Sequence, residues 1–219
     1  MNMKRREFSR AAAAVALTPA ALLAPVAHAQ DRKPQAGKDY HVVEQRAPVE
    51  APAGKVEVVE FFWYSCPHCH AFEPLLDAWL KNLPKDVAFR RVHVAFNDSF
   101  VPQQKLYIAL EAMGLVDKLH SKVFNAIHNE KRKMAKGDEI ADWVATQGVD
   151  RNKFLEQFNS FSTASKATRF TQLQNTYRIE GVPTLGVAGR FWTDGQLVGT
   201  MERALKVTEA LVAEVKAGR

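Results

Sequence analysis

Cysteine is nearly missing from this chain: its 219 residues hold only Cys66 and Cys69. A secreted domain stapled by disulfides scatters its cysteines to close long loops, so a disulfide scaffold is excluded. No second C-x-x-C is present to complete a four-thiolate zinc site. An excess of one charge is missing as well. The formal net charge is +6, but Lys4, Arg5, Arg6 and Arg10, against the lone acid Glu7, lie in the first 29 positions. The remainder carries 26 basic and 23 acidic side chains, too even a balance for a nucleic-acid footprint. Glycine and proline, at 11 and 10, are too few for a collagen-like or low-complexity chain. Beyond the leader no stretch is long and apolar enough to span a bilayer.

What is present begins with that leader. Met1 to Arg10 is basic, Ala11 to Ala27 is apolar and alanine-rich, and Ala27-His28-Ala29 places small residues around the join before Gln30. This pattern predicts a cleavable signal peptide over residues 1–29 and export to an oxidising compartment, the periplasm. Pro19 and Pro25, with so many alanines, make it a poor permanent span. Lys4-Arg5-Arg6-Glu7-Phe8 resembles a twin-arginine signal and equally suits an arginine-rich Sec leader, so both routes stay open.

The two cysteines stand in Ser65-Cys66-Pro67-His68-Cys69-His70. The run Lys55 to Tyr64 is apolar and β-branched, the pattern of a strand buried on both faces. After Cys66, Phe72, Leu75, Leu76, Trp79, Leu80 and Leu83 recur at helical spacing up to Pro84. Pro67 suits a first turn, and Pro74 is expected to kink the helix. Cys66 is thus expected at a helix N-terminus, where unpaired N–H groups and the dipole favour a thiolate. Four readings compete. Zinc finds too few ligands in Cys66, Cys69 and one histidine. C-x-x-C-H also spells c-type haem attachment, although the buried strand and Pro67 sit badly with it. A structural disulfide over so short a ring gains only roughly 2 kcal/mol. A redox-active dithiol is the reading favoured.

Glu60-Phe61-Phe62, Cys66-Pro67-His68-Cys69 and Gly181-Val182-Pro183-Thr184 together resemble the DsbA family of periplasmic thiol oxidases, within the thioredoxin superfamily. The likeness runs from about Asp39 to the C-terminus. It implies that Cys66 is an exposed nucleophile, Cys69 its buried partner in a redox-active disulfide, Glu60 a buried acid beneath the site, and Pro183 a cis-proline beside it. Glu60 also reads as a structural acid paired with Lys55 or Arg91. His68 between the cysteines can stabilise the thiolate by a hydrogen bond or charge. Pro67, His70, Val182 and Thr184 are expected to contact substrate. His70 departs from the tyrosine common in the family, and His93 stands where relatives carry a histidine.

Helical signals fill Lys105–Met113, Leu115–Asn129, a segment capped by Asp138, Asp150–Phe158, Ser165–Tyr177 and Met201–Val215. A hairpin is expected from Thr184–Val187 and Phe191–Val198 around Gly189. The fold expected is α/β: a thioredoxin fold with an inserted all-helical domain. Residues 30–97 and 171–219 form its thioredoxin-like part and 98–170 the insertion. The function expected is donation of the Cys66–Cys69 disulfide to reduced, unfolded exported proteins. The protein is expected to be monomeric, to carry no bound cofactor or metal, and to be reoxidised by a quinone-coupled membrane partner of the DsbB type. A disulfide isomerase or thioredoxin-like reductant is the alternative, and a c-type haem electron carrier a remote second.

Overall fold

The computed structural model describes residues 32–218; the signal peptide expected over 1–29 lies outside them. The described residues build a five-stranded sheet ordered β1 (His41–Val42), β5 (Phe191–Asp194), β4 (Thr184–Val187), β2 (Val56–Phe62) and β3 (Val87–His93). β2 and β3 are parallel, and β4 pairs antiparallel with β2 and β5. Every residue of β2 is buried, which explains its unbroken apolar pattern. Val58 packs with Val187, Val207 and Leu211 on one face, whereas Val59 and Phe61 join the larger core on the other. Each such side chain contributes about 1.5–3 kcal/mol by leaving water.

α1 (Pro67–Leu80) follows β2 directly. After β3 the chain leaves the sheet through α2 (Val101–Ala112), α3 (Val116–His128), α4 (Gly137–Thr146) and α5 (Arg151–Phe158), then returns along α6 (Phe161–Thr176). A single turn, α7 (Gly195–Val198), and the long α8 (Met201–Lys216) close it, with α8 packed on β4 and β5. This is a thioredoxin fold with a helical insertion after β3. No helix among the described residues is long and apolar enough to cross a membrane.

Several boundaries differ from the sequence expectation. α6 begins four residues early because Ser160 caps it, accepting from the Thr163 N–H at 3.1 Å. The domain junction expected between 170 and 171 falls inside this continuous helix. Asp138 is not a cap: it lies in the first turn of α4, 3.2 Å from Arg151. The second hairpin strand stops at Asp194, whose side chain accepts from the Leu197 N–H at 2.8 Å and starts α7. Short β1, half exposed, was not anticipated. Gly186 has a packing reason: a Cβ there would stand 2.7 Å from the Tyr177 ring. Tyr177 crosses β4 at that point, and its hydroxyl accepts from Gly189 N–H at 3.0 Å.

Candidate active site

Strand β2 delivers the chain through Trp63, Tyr64 and Ser65 to Cys66, the N-cap of α1, with Pro67 in the first turn. Tyr64 is fully buried and held by three histidines. Its N–H donates to His93 Nε2 at 3.3 Å, its hydroxyl pairs with His120 Nδ1 at 2.9 Å, and its carbonyl accepts from His128 Nε2 at 2.8 Å. His93 in turn donates through Nδ1 to the Val94 carbonyl at 2.9 Å. Burial pushes His93 down to about 3, so it stays neutral, and its two bonds fix the tautomer. Of the aromatic run, only Trp63 is partly exposed, and its ring lies on Phe100 with centroids 4.2 Å apart.

Both cysteines are free thiols. Cys66 Sγ accepts the Cys69 N–H at 3.2 Å and, when protonated, donates to the Val182 carbonyl at 3.4 Å. Val182–Pro183 is a cis peptide bond, as the resemblance implied. Cys66 was expected to be exposed; it is 5% exposed against 0% for Cys69. Its contacts with the helix terminus and the Val182 loop cover it, while Pro67 and His68 stand out in solvent. The pair differ far more in electrostatics. Cys66 is pulled down to about 6, first by the hydrogen bond from the Cys69 thiol. Burial opposes this; the N–H groups of Cys69 and His68 assist, and the His68 charge acts last. Cys69 is raised, chiefly by burial, with the Cys66 sulfur and Glu60 adding to it.

Beneath Cys69 lies a polar cluster drawn from four elements. Glu60 of β2 is fully buried, and Arg91, its register partner on β3, donates to its Oε2 at 2.9 Å. Arg91 was one of the two partners weighed for Glu60; Lys55 is not involved. Glu60 Oε1 has no hydrogen-bond partner, and burial pushes the acid up to about 8 against the pull of Arg91. Glu73 of α1 stands 3.4 Å from Arg91 Nη2 and 3.2 Å from His120 Nε2. His120 and Arg91 hold Glu73 below the usual carboxylate range despite its burial. The sequence reading missed Glu73 and His120. Glu73 carried a signal, since four residues after Cys69 it shares that face of the helix.

An open groove of about 310 Å³ adjoins the motif, lined on one side by His68 with Val182 and Pro183, and on the other by residues of the β5–α8 connection including Gln196 and Met201. Of the four residues expected to contact substrate, only Val182 lines it. Pro67 is exposed beside it. Thr184 is 1% exposed and turns its hydroxyl to the Gly181 carbonyl at 2.9 Å, because β4 begins there and pulls it into the sheet. His70 faces the insertion, stacked on His128 with centroids 4.7 Å apart and on Phe124 at 5.6 Å. Among the described residues no group of three or more His, Cys, Asp or Glu side chains is placed to hold a metal.

Comparison with known proteins agrees with this geometry. Residues 57–206 match the family model described as a DSBA-like thioredoxin domain. The thiol:disulfide interchange protein DsbA of Burkholderia cepacia is 43% identical over 195 residues, covering 89% of this chain and 92% of the relative. The crystal structure of Pseudomonas aeruginosa DsbA superposes with a TM-score of 0.80 at 40% identity, over 84% of this chain and 95% of that one. That of Xylella fastidiosa DsbA gives 0.79 at 33% identity, over 85% and 100%. A paired thiol at a helix N-terminus, a cis-proline loop across from it and a buried acid below thus occur within a matching sequence and fold, and the chain belongs to the DsbA-like thioredoxin family.

Proposed function

We propose that this protein is a periplasmic thiol:disulfide oxidoreductase that gives its Cys66–Cys69 disulfide to newly exported proteins. The observation that carries the reading is the opposed placement of the two thiols: Cys66 caps the N-terminus of α1, accepts the Cys69 N–H at 3.2 Å and is lowered to about 6, while Cys69 is fully buried and raised. A substrate thiolate attacks the Cys66 sulfur, the Cys66–Cys69 bond breaks with its electron pair on Cys69, and a mixed disulfide forms. Cys69 takes up a proton, for which Glu60 with its bare Oε1 is the nearby source. A second substrate thiolate then attacks the substrate sulfur of the mixed disulfide and releases Cys66 as a thiolate. Two electrons pass from substrate to protein. Because the Cys66 thiolate is the stabilised one, it is the good leaving group, and the reduced protein is the favoured product.

Within this reading Val182, Pro183 and His68 border the groove that receives an unfolded chain, and Pro67 flanks it. The leader over 1–29 directs export, the protein acts as a monomer, and a quinone-coupled membrane partner of the DsbB type restores the disulfide. The helical segment from residue 98 to the end of α6 at Thr176 is an inserted domain that covers the cluster below Cys69. The test is to mix the oxidised protein with a reduced, unfolded secreted protein. Native disulfides should form while the protein is left reduced. Cys66→Ala and Cys69→Ala, which hold no disulfide to give, should be inert toward the reduced substrate, and Cys69→Ala should accumulate mixed disulfides when the substrate brings a disulfide for the Cys66 thiolate to attack. Substrate thiols left untouched by the oxidised protein would overturn the reading, and net reduction of substrate disulfides would replace it with the reductant alternative.

A further inference from the structure

The cluster beneath Cys69 holds an ionisable group that the exchange reaction does not touch. Glu60, Glu73, Arg91 and His120 form a continuous string, with contacts of 2.9 Å, 3.4 Å and 3.2 Å in the order Glu60–Arg91–Glu73–His120. His120 is 6% exposed and its Nδ1 is occupied by the Tyr64 hydroxyl. Its Nε2 approaches Glu73 without a well-directed hydrogen bond. The titratable and charged groups facing the cluster are Glu60 from β2, Tyr64 from the loop after it, Cys69, Glu73 and Asp77 from α1, Arg91 and His93 from β3, and Tyr107 from α2. His93 is neutral, the buried tyrosines are raised out of the neutral range, and Asp77 is exposed at 3.9 Å from Arg91.

Charge balance then singles out one proton. With Glu73 ionised and Arg91 charged, the string is neutral in two ways: Glu60 protonated with His120 neutral, or Glu60 ionised with His120 protonated. Either alternative keeps a buried site from carrying uncompensated charge, which is costly in a low-dielectric interior. Burial raises Glu60 and lowers His120, so the proton rests on Glu60 until Glu60 must give it up.

We propose that His120 is a positioning residue for the exchange reaction, its charge state deciding where the proton of Glu60 sits and hence when Cys69 can lose or regain its own. The inference rests on the function proposed above. When Cys69 leaves the disulfide, Glu60 Oε1 hands it a proton, and the carboxylate that remains is balanced as His120 takes one from solvent. In the reverse step, Cys69 resolves a mixed disulfide on Cys66. Its S–H proton passes to ionised Glu60, the new thiolate attacks the Cys66 sulfur, the Cys66–Cys69 bond forms, and the partner leaves as thiolate. The protonated imidazole makes that ionised Glu60 available at neutral pH.

The test uses glutathione as the partner. The mixed disulfide is formed on reduced protein with oxidised glutathione, and release of the bound glutathione by Cys69 is followed from pH 5 to 9. His120→Gln should move the pH midpoint of release upward, leaving it about tenfold slower at pH 6, the effect of one unit of pKa. His120→Lys, which keeps a cation beside Glu73, should move the midpoint downward. The pH dependence of Cys66 alkylation should be unchanged in both. Opposite shifts separate charge control from a merely structural role, which would move both variants alike; His120→Arg replaces His120→Lys, and His120→Asn replaces His120→Gln, if either does not fold. Wild-type midpoints in the folded variants, or shifts of the same sign, would overturn the proposal. Failure of the wild-type protein to form or resolve the glutathione adduct would instead overturn the proposed function.

Discussion

Cys66 and Cys69 are separated by one helical turn, yet the N-terminal rim of α1 and the polar cluster beneath it treat the same functional group in opposite ways. At the rim, a sulfur at the N-cap is pulled down to about 6, first by the Cys69 thiol and then by backbone N–H groups, that of Cys69 at 3.2 Å. In the interior, a fully covered sulfur finds an ionisable acid rather than a cation and is raised. The rim stabilises negative charge with fixed donors, the Cys69 thiol foremost and the helix N–H groups after it, whereas the interior admits charge only in balanced sets. A dithiol built across that border keeps its charge on the outer sulfur when reduced. Spacing alone does not produce this; it follows from placing the motif where a buried strand becomes a helix.

The largest way to break the contrast is to unbalance the interior. Arg91→Met leaves Glu60 and Glu73 without their shared cation, and removing one partner of a buried ion pair costs about 3–5 kcal/mol. Urea unfolding should register a loss of that order. A loss no larger than that of a surface substitution would mean that the cluster is not held by charge.

A smaller effect sharpens the description of the rim. Between about 6, where Cys66 titrates in the folded reduced protein, and its ordinary value of 9.0, the unfolded chain holds more protons than the folded one. Stability of the reduced form should therefore rise with pH across that window, and this contribution should be lost as pH falls through about 6. The oxidised form has no such group. Thermal melts of both forms at pH 5 and pH 8 should show the reduced form gaining on the oxidised form at the higher pH; a constant difference would contradict the account.

His68→Ala should produce the smallest change. The sequence suggests His68 as a support of the thiolate alongside the helix N-terminus, but its charge is the last of the influences on Cys66, after the Cys69 thiol and two backbone N–H groups. The Cys66 pKa should rise by less than about half a unit, read from thiolate absorbance. A larger rise would give the histidine the leading role.

What the sequence made legible was local. The strand-to-helix junction, the first-turn proline and the helical segment beginning at Asp150, which the structure shows accepting from Lys153 N–H at 2.9 Å, all depend on residues close in the chain. The Val182–Pro183 loop was legible only through family resemblance. The cluster was mostly hidden, because Glu73, Arg91 and His120 come together only when α1, β3 and α3 close around β2. The start of α6 was obscured by Phe161, an apolar side chain 88% exposed on the helix face opposite buried Phe170. The groove's far wall was also missed, since Asp194 ends β5 four residues sooner than its apolar neighbours imply.

The central claim is that the rim and not the interior carries the thiolate, and alkylation of the reduced protein by iodoacetamide tests it most directly. Followed across pH with mass-spectrometric identification of the labelled cysteine, Cys66 alone should react, with half its maximal rate near pH 6. A midpoint close to 9.0, the ordinary value for the group, or labelling of Cys69 at a comparable rate, would contradict the account.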